Sequence, residues 1–215
     1  PCTLEITDAE TFARDWTVID VNSNVSANTW AYNDGNAMYT QDKSNAADDW
    51  LIAPAVTLEA GKAYKVSAYV KHSSTFGSDK QKIELKIGTA PTVEGLTTRL
   101  VYDESFQSRL FVEKSGTFSP AESGVFYVGL RCYSGSYMGD LYFQKIVIEE
   151  APVYPVQITD LSIVAGERGA MSATLSWTWP SSDHLGGALS NLLGAKIYRG
   201  TDLVATLDTA TVGGK

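Results

Sequence analysis

The sequence predicts an all-β protein, and three observations carry that expectation. Tyrosine, phenylalanine and tryptophan are plentiful, at 11, 7 and 5 of 215 residues, and such side chains suit a pleated, half-buried surface. Apolar residues recur at every second position, as in Tyr64, Val66, Ala68 and Val70, which is the period of a strand with one face in and one face out. The runs are also short and punctuated by turn residues at close spacing, which describes a two-sheet sandwich.

Taken in order, Leu4 and Ile6 suit an edge strand, and Thr7-Asp8-Ala9-Glu10 can cap a short helical turn. Trp16 to Val21 alternates as a strand into the polar loop 22–29. Trp30 and Tyr32 open a new segment, Asn33-Asp34-Gly35-Asn36 is a strong turn signal, and Ala37-Met38-Tyr39 is short and apolar. After a polar loop comes Asp48-Asp49-Trp50-Leu51-Ile52-Ala53-Pro54. That run is too short for a stable helix and reads as a strand buried on both faces, which Pro54 ends because it cannot donate to a ladder. Trp16, Trp30 and Trp50 are expected in the core, since their neighbours are apolar.

A second alternating strand covers Ala63 to Lys71, and His72 to Asp79 reads as a Ser/Gly loop carrying Phe76. Ile83, Leu85 and Ile87 repeat the period. Ala90 to Arg99 is a connection with room for one helical turn, and strands follow at 100–102 and 110–118. Val125 to Tyr133 is the longest apolar strand. Ser134 to Gly139 is a small polar loop with Tyr137, and Leu141 to Ile148 closes the sheet.

Residues 1–150 are expected to form one domain, 151–155 a semi-rigid proline-punctuated linker, and 156–215 a second domain. The second stretch resembles the start of a fibronectin type III-like sandwich. Ile158, Leu161 and Ile163 fit a first strand, Leu175, Trp177 and Trp179 the inner face of a second, and 194–200 with 203–207 a hairpin around Thr201-Asp202. A complete domain of that kind has about seven strands in roughly 100 residues, and this stretch carries about four.

The net charge of −8 and the lack of a basic stripe argue against nucleic-acid binding, whose affinity rests on phosphate contacts. No stretch is long and apolar enough to span a membrane, and no signal peptide precedes the chain, which reads as trimmed or as starting inside a longer protein. Cys132 falls in phase with Phe126, Val128 and Leu130 and is expected as a buried thiol. A Cys2–Cys132 disulfide is open if the N-terminus lies beside that strand. His72 and His184 are expected as solvated loop histidines. No serine has the surroundings of an activated nucleophile, and Asp48 and Asp49, as strand neighbours, point to opposite faces and cannot act as a glycosidase pair.

Ala47-Asp48-Asp49-Trp50-Leu51-Ile52-Ala53-Pro54-Ala55-Val56, with Leu58, Ala60-Gly61-Lys62 and Tyr64, resembles the signature of cleaved-adhesin, or choice-of-anchor J, domains of secreted and surface proteins of Bacteroidetes, gingipain haemagglutinins among them. The wider match runs from Trp16 to Glu149. It implies a jelly-roll β-sandwich, an extracellular or cell-surface location and a role in adhesion, towards host protein or glycan, within a larger parent chain. Spacing alone would not choose a jelly roll over another sandwich.

Asp20-x-Asn22-x-Asn24 sets three oxygen donors at alternate positions, a spacing that wraps a calcium ion. Val25 then stands where such a loop wants glycine, and no glutamate follows at the expected place. The resemblance adds Asp49 and Asp140 as further metal ligands. For ligand recognition, the loop aromatics Tyr32, Tyr39, Phe76, Tyr133 and Tyr137 are candidates, because a sugar's apolar face stacks on a planar ring. The expectation is a non-catalytic binding module with a structural calcium. The competing readings are an accessory module of a secreted peptidase or glycosidase, a spacer, and an enzyme in its own right.

Overall fold

The structure, a computed structural model, describes residues 2–23, 28–74, 76–184 and 186–215. It divides into two compact units, Pro1–Ala151 and Pro152–Lys215.

Unit 1 opens with β1 (Cys2–Glu5) and α1 (Ala9–Asp15). Asp8 caps the helix, its Oδ1 accepting from Thr11 N at 2.7 Å and satisfying one donor that the first turn leaves open. Eleven strands follow: β2 (Thr17–Asp20), β3 (Trp30–Asn33), β4 (Asn36–Tyr39), β5 (Asp49–Ile52), β6 (Val56–Leu58), β7 (Ala63–His72), β8 (Gln81–Gly88), β9 (Thr98–Phe106), β10 (Val112–Phe118), β11 (Gly124–Cys132) and β12 (Leu141–Ala151). One sheet has the order β10-β7-β12-β4-β3, with β1 also paired to β12. The other has the order β2-β5-β11-β8-β9, with β6 also paired to β11. Every pairing is antiparallel.

The core lies between these sheets. Val66, Ala68, Val70, Phe143, Ile146 and Ile148 come from the first sheet, and Leu51, Ile83, Leu85, Ile87, Val128 and Leu130 from the second. Trp16 meets Phe143 edge to face, with centroids 5.3 Å apart. β5 is buried on both faces, as its sequence predicts. Leu51 joins the main core. Trp50 and Ile52 face the other way and are covered by Leu96, with Val93, Ile19 and Tyr127 packed around them. Gly129 permits this cover, since a Cβ there would stand 2.4 Å from Leu96 Cδ1 and 3.1 Å from Trp50 Cε3.

Cys132 is a buried thiol, as its phase predicts, and the disulfide left open with Cys2 does not form. Cys2 is exposed on β1 of the first sheet, whereas Cys132 ends β11 in the second, and burial pushes the Cys132 thiol up to about 12. His72 is not a solvated loop residue; it is the last residue of β7, in phase with Val66, Ala68 and Val70, and it is buried.

Unit 2 holds two two-stranded sheets, β13 (Ser162–Ala165) with β14 (Ala173–Ser176), and β15 (Ala195–Arg199) with β16 (Asp202–Leu207). None of its described residues is buried. β13 starts later than Ile158. Trp177 and Trp179 lie beyond the end of β14, half-buried and edge to face at 5.4 Å. The two-residue turn of the last hairpin is Gly200-Thr201, one position earlier than its sequence suggests.

Candidate functional site

Three loops meet at one end of unit 1: 40–48 after β4, 73–80 after β7, and 133–140 between β11 and β12. Between them lies a cleft of about 250 Å³. Phe76 and Tyr137 line it and are 70% and 60% exposed, so two large rings stand in solvent at its walls. Gln41, Ser73, Ser74 and Asp79 supply the polar lining.

The loop that carries Tyr137 is held from beneath by buried side chains. Gln81, at the start of β8, donates from Nε2 to Gly139 O at 2.6 Å and to Met138 O at 3.1 Å. Its Oε1 accepts from Ser134 Oγ, and Ser134 Oγ also accepts from Lys82 N. His72 donates from Nε2 to Met138 O at 2.5 Å. That fixes the proton on Nε2, because a carbonyl only accepts. Gly139 N donates to Gln41 Oε1, and Tyr137 N donates to the Asp42 carbonyl. Tyr137 has φ +60°, a left-handed conformation that a bulky side chain adopts only where its surroundings enforce it. Gly139 has φ +83°, and a Cβ there would lie 2.6 Å from His72 Nε2.

The 73–80 loop is tied as firmly. Gln107 Nε2 donates to the Phe76 and Asp79 carbonyls. Ser74 Oγ donates to Asp79 Oδ2 and accepts from Phe76 N, while Ser78 Oγ donates to Asp79 Oδ1. Ser73 and Asp140 exchange two bonds, Ser73 N to Asp140 O and Asp140 N to Ser73 Oγ. The frame therefore presents a pre-formed surface to a ligand. His72 is not placed for proton transfer into the cleft: Nε2 is committed to Met138 O, and Nδ1 is enclosed with no partner among the described residues. Neither nitrogen can reach a molecule in the cleft as a general base.

No family model and no curated protein matches the chain. Among solved structures, the K3 cleaved adhesin domain of Lys-gingipain from Porphyromonas gingivalis w83 is similar over 68% of this chain and 97% of that one, with a TM-score of 0.51 and 11% identity. The K1 cleaved adhesin domain of the same protein is similar over 71% of this chain and 100% of that one, with a TM-score of 0.50 and 15% identity. Unit 1 has the cleaved-adhesin jelly-roll fold. At this level of identity the likeness concerns the path of the backbone.

Within this adhesin-type unit, the five aromatics singled out from the sequence separate. Phe76 and Tyr137 share the cleft. Tyr39 does not belong with them. It is 2% exposed and edge to face with Trp30, because it stands in phase with Ala37 on the inner face of β4. Tyr32 lies on β3, not in a loop, and packs in part against the same core. Tyr133 stands past the end of β11, stacked on Tyr102 with centroids 6.1 Å apart and with Arg131 over its ring.

The predicted metal ligands separate as well. Asp20 and Asp49 are opposite residues of β2 and β5 and share the inner face. Asp49 is fully buried. Its Oδ2 accepts from Asp48 N, and its Oδ1 has no partner of full hydrogen-bond geometry among the described residues, with the Thr29 side chain beside the carboxyl. Burial pushes the Asp49 carboxyl up to about 6, against the opposing Thr29 side chain and with the Asp20 charge adding to it. Asn22 Nδ2 donates to Ala46 O, Asp20 Oδ1 accepts from Ser23 N, and Asn24 lies outside the described residues. Asp140 stands in the loop just before β12 of the opposite sheet, and its Oδ1 accepts from Gln41 N. No group of three or more His, Cys, Asp or Glu side chains among the described residues is placed to hold a metal ion. Of the predicted carboxylates only Asp20 and Asp49 stand together.

The polar residues that build the cleft, Gln41, Gln81, Ser73, Ser74 and Asp79, are not singled out by the sequence reading. For Gln81 a signal exists: it lies in phase with the inward-facing Ile83, Leu85 and Ile87, and a polar group there must find partners.

Proposed function

We propose that the chain is a non-catalytic binding module, and that its adhesin-type unit takes a glycan in the cleft between the 40–48, 73–80 and 133–140 loops. The observation that carries this reading is the pair of exposed rings, Phe76 and Tyr137, held over a hydrogen-bonded polar floor. Planar rings offer stacking surface at low entropic cost, and the surrounding polar groups fix orientation. The solved domains of similar fold are adhesin domains of Lys-gingipain, which supports a place in adhesion at a cell surface or outside the cell, within a larger parent chain. No helix among the described residues is long and apolar enough to cross a membrane. Unit 2 is read as a fibronectin type III-like neighbour to the binding unit.

A structural calcium ion belongs to this reading. Its ligands would be Asp20 and Asp49, with Asn22 and Asn24 from the loop that follows. What favours it is the buried Asp49 carboxyl, whose Oδ1 has no partner of full hydrogen-bond geometry among the described residues, since a cation there would relieve a desolvated carboxylate. The ion would brace the β2–β5 end of the sandwich and take part in no reaction.

The test is a glycan and matrix-protein binding screen on the full chain and on Phe76→Ala and Tyr137→Ala. The expected outcome is glycan binding that weakens about tenfold or more in each variant, since stacking contacts at a site centre are worth ~1–3 kcal/mol. Binding that is unchanged in both variants, or binding only to protein surfaces, overturns the cleft as a glycan site.

A further inference from the structure

This inference rests on the cleft reading and deepens it. We infer that the cleft selects neutral glycans over acidic ones, with Asp79 as the residue that enforces the choice. Among the described residues the lining contains no lysine, arginine or histidine, and Asp79 is its one carboxylate. Two further carboxylates belong to the loops that frame the cleft. Asp140 Oδ1 accepts from Gln41 N, and Asp42 accepts from Ser44 N and Asn45 N through its side chain while its carbonyl holds Tyr137 N. The cation next in sequence, Lys80, donates from Nζ to Gln107 Oε1 at 3.2 Å.

The hydrogen-bonding capacity that remains points the same way. Gln41 spends Oε1 on Gly139 N, and its Nε2 donates to no group among the described residues. Ser73 Oγ accepts from Asp140 N, so its own proton is left to donate. Asp79 receives Ser74 Oγ and Ser78 Oγ, one on each oxygen, which orients the carboxylate and leaves lone pairs for further donors. A sugar hydroxyl both donates and accepts, so it suits this mix of two donors and one strong acceptor. A sialyl carboxylate or a sulfate donates nothing and meets Asp79 with no cation in the described lining to offset the repulsion, since Lys80 is drawn to Gln107 outside it.

The test uses matched probes: N-acetyllactosamine oligomers and their sialylated and sulfated counterparts, titrated against the full chain, Asp79→Asn and Phe76→Ala. The neutral oligomers should bind about tenfold tighter than the acidic ones, and the gap should shrink to about threefold or less in Asp79→Asn. Acidic probes that bind as tightly as neutral ones, or a gap that Asp79→Asn leaves unchanged while Phe76→Ala abolishes binding, overturn the charge selection alone. Neutral binding that Phe76→Ala does not weaken, or no binding by any probe, overturns the cleft reading and this inference with it.

Discussion

Gln81 Nε2 donates to Gly139 O at 2.6 Å, linking the first residue of β8 in one sheet to the loop that leads into β12 in the other. Both residues are buried, and the bond fixes the backbone two positions after the exposed ring of Tyr137. The cleft is thus built from inside the sandwich outward.

Gln81→Ala should lower stability and weaken ligand binding together. The change strips two carbonyls of a donor and Ser134 of its acceptor in a dry site. Leaving buried polar groups unpaired costs about 1–3 kcal/mol each, part of it recovered where His72 still serves Met138 O. Denaturant unfolding with an unchanged m-value and a fall of about 2–4 kcal/mol is the expected result.

Gly139→Ala should destabilise by about 1–3 kcal/mol, because an L side chain is strained at φ +83° and its Cβ would press on His72 Nε2. Tyr137→Gly should behave differently. It relaxes the left-handed position and removes the ring, so thermal stability should hold or rise while glycan binding is lost. A melting curve and a binding titration on both variants separate the two roles.

Calcium should raise the melting temperature in a concentration-dependent way, reversibly with EDTA, if the Asp20–Asp49 pair holds the ion, since a ligand of the folded state stabilises it by mass action. Asp20→Asn and Asp49→Asn should each blunt the rise. No shift across millimolar calcium would remove the ion from the proposed function and leave the cleft untouched.

In EDTA, Asp49→Asn should stabilise the protein at neutral pH. The folded-state carboxyl sits at about 6 against an ordinary value of 3.8, so the folded chain holds this proton more tightly than the unfolded chain. The stability this residue lends is therefore full below about pH 4 and is lost as pH rises towards 6, by at most about 3 kcal/mol. The stability difference between Asp49→Asn and the parent should grow from pH 4 to pH 7 and level off above it. Asp42, whose carboxyl is held low by the Ser44 and Asn45 amides, has the opposite slope in both proteins and cancels in the comparison.

Hydrogen exchange should divide the chain. Amides of β7 and β12, paired along ten positions in the middle of a sheet, should be protected up to the global unfolding energy. Those of β13 to β16 should exchange far faster, because unit 2 consists of two-stranded sheets with no buried residue among those described. Equal protection in the two units would contradict this.

The strands were legible because alternation is a local property. Val66, Ala68 and Val70 face inward, and Trp50, Leu51 and Ile52 fill both faces of β5, as the run of apolar residues before Pro54 predicts. Phase also held the warning about Asp49, which alternates with Leu51 and so had to point into the sandwich. The same local reading misplaced Tyr39 and His72. His72 follows the alternating run 63–71 by one step and Tyr39 ends the short run 37–39, and the pairing of Leu141 with both of them shows that the strands include them.

The sequence by itself determined an all-β chain, since the period of side chains and the chemistry of turns act over a few residues; the jelly-roll topology came only from a resemblance. The tertiary structure alone decided which aromatics meet. Phe76 and Tyr137 come from loops far apart in the chain, brought to one end because β7 and β12 pair antiparallel and their adjoining loops emerge side by side. It also decided that Asp20 and Asp49 stand together while Asp140 does not, because a strand register, not a spacing, sets which carboxylates share a face.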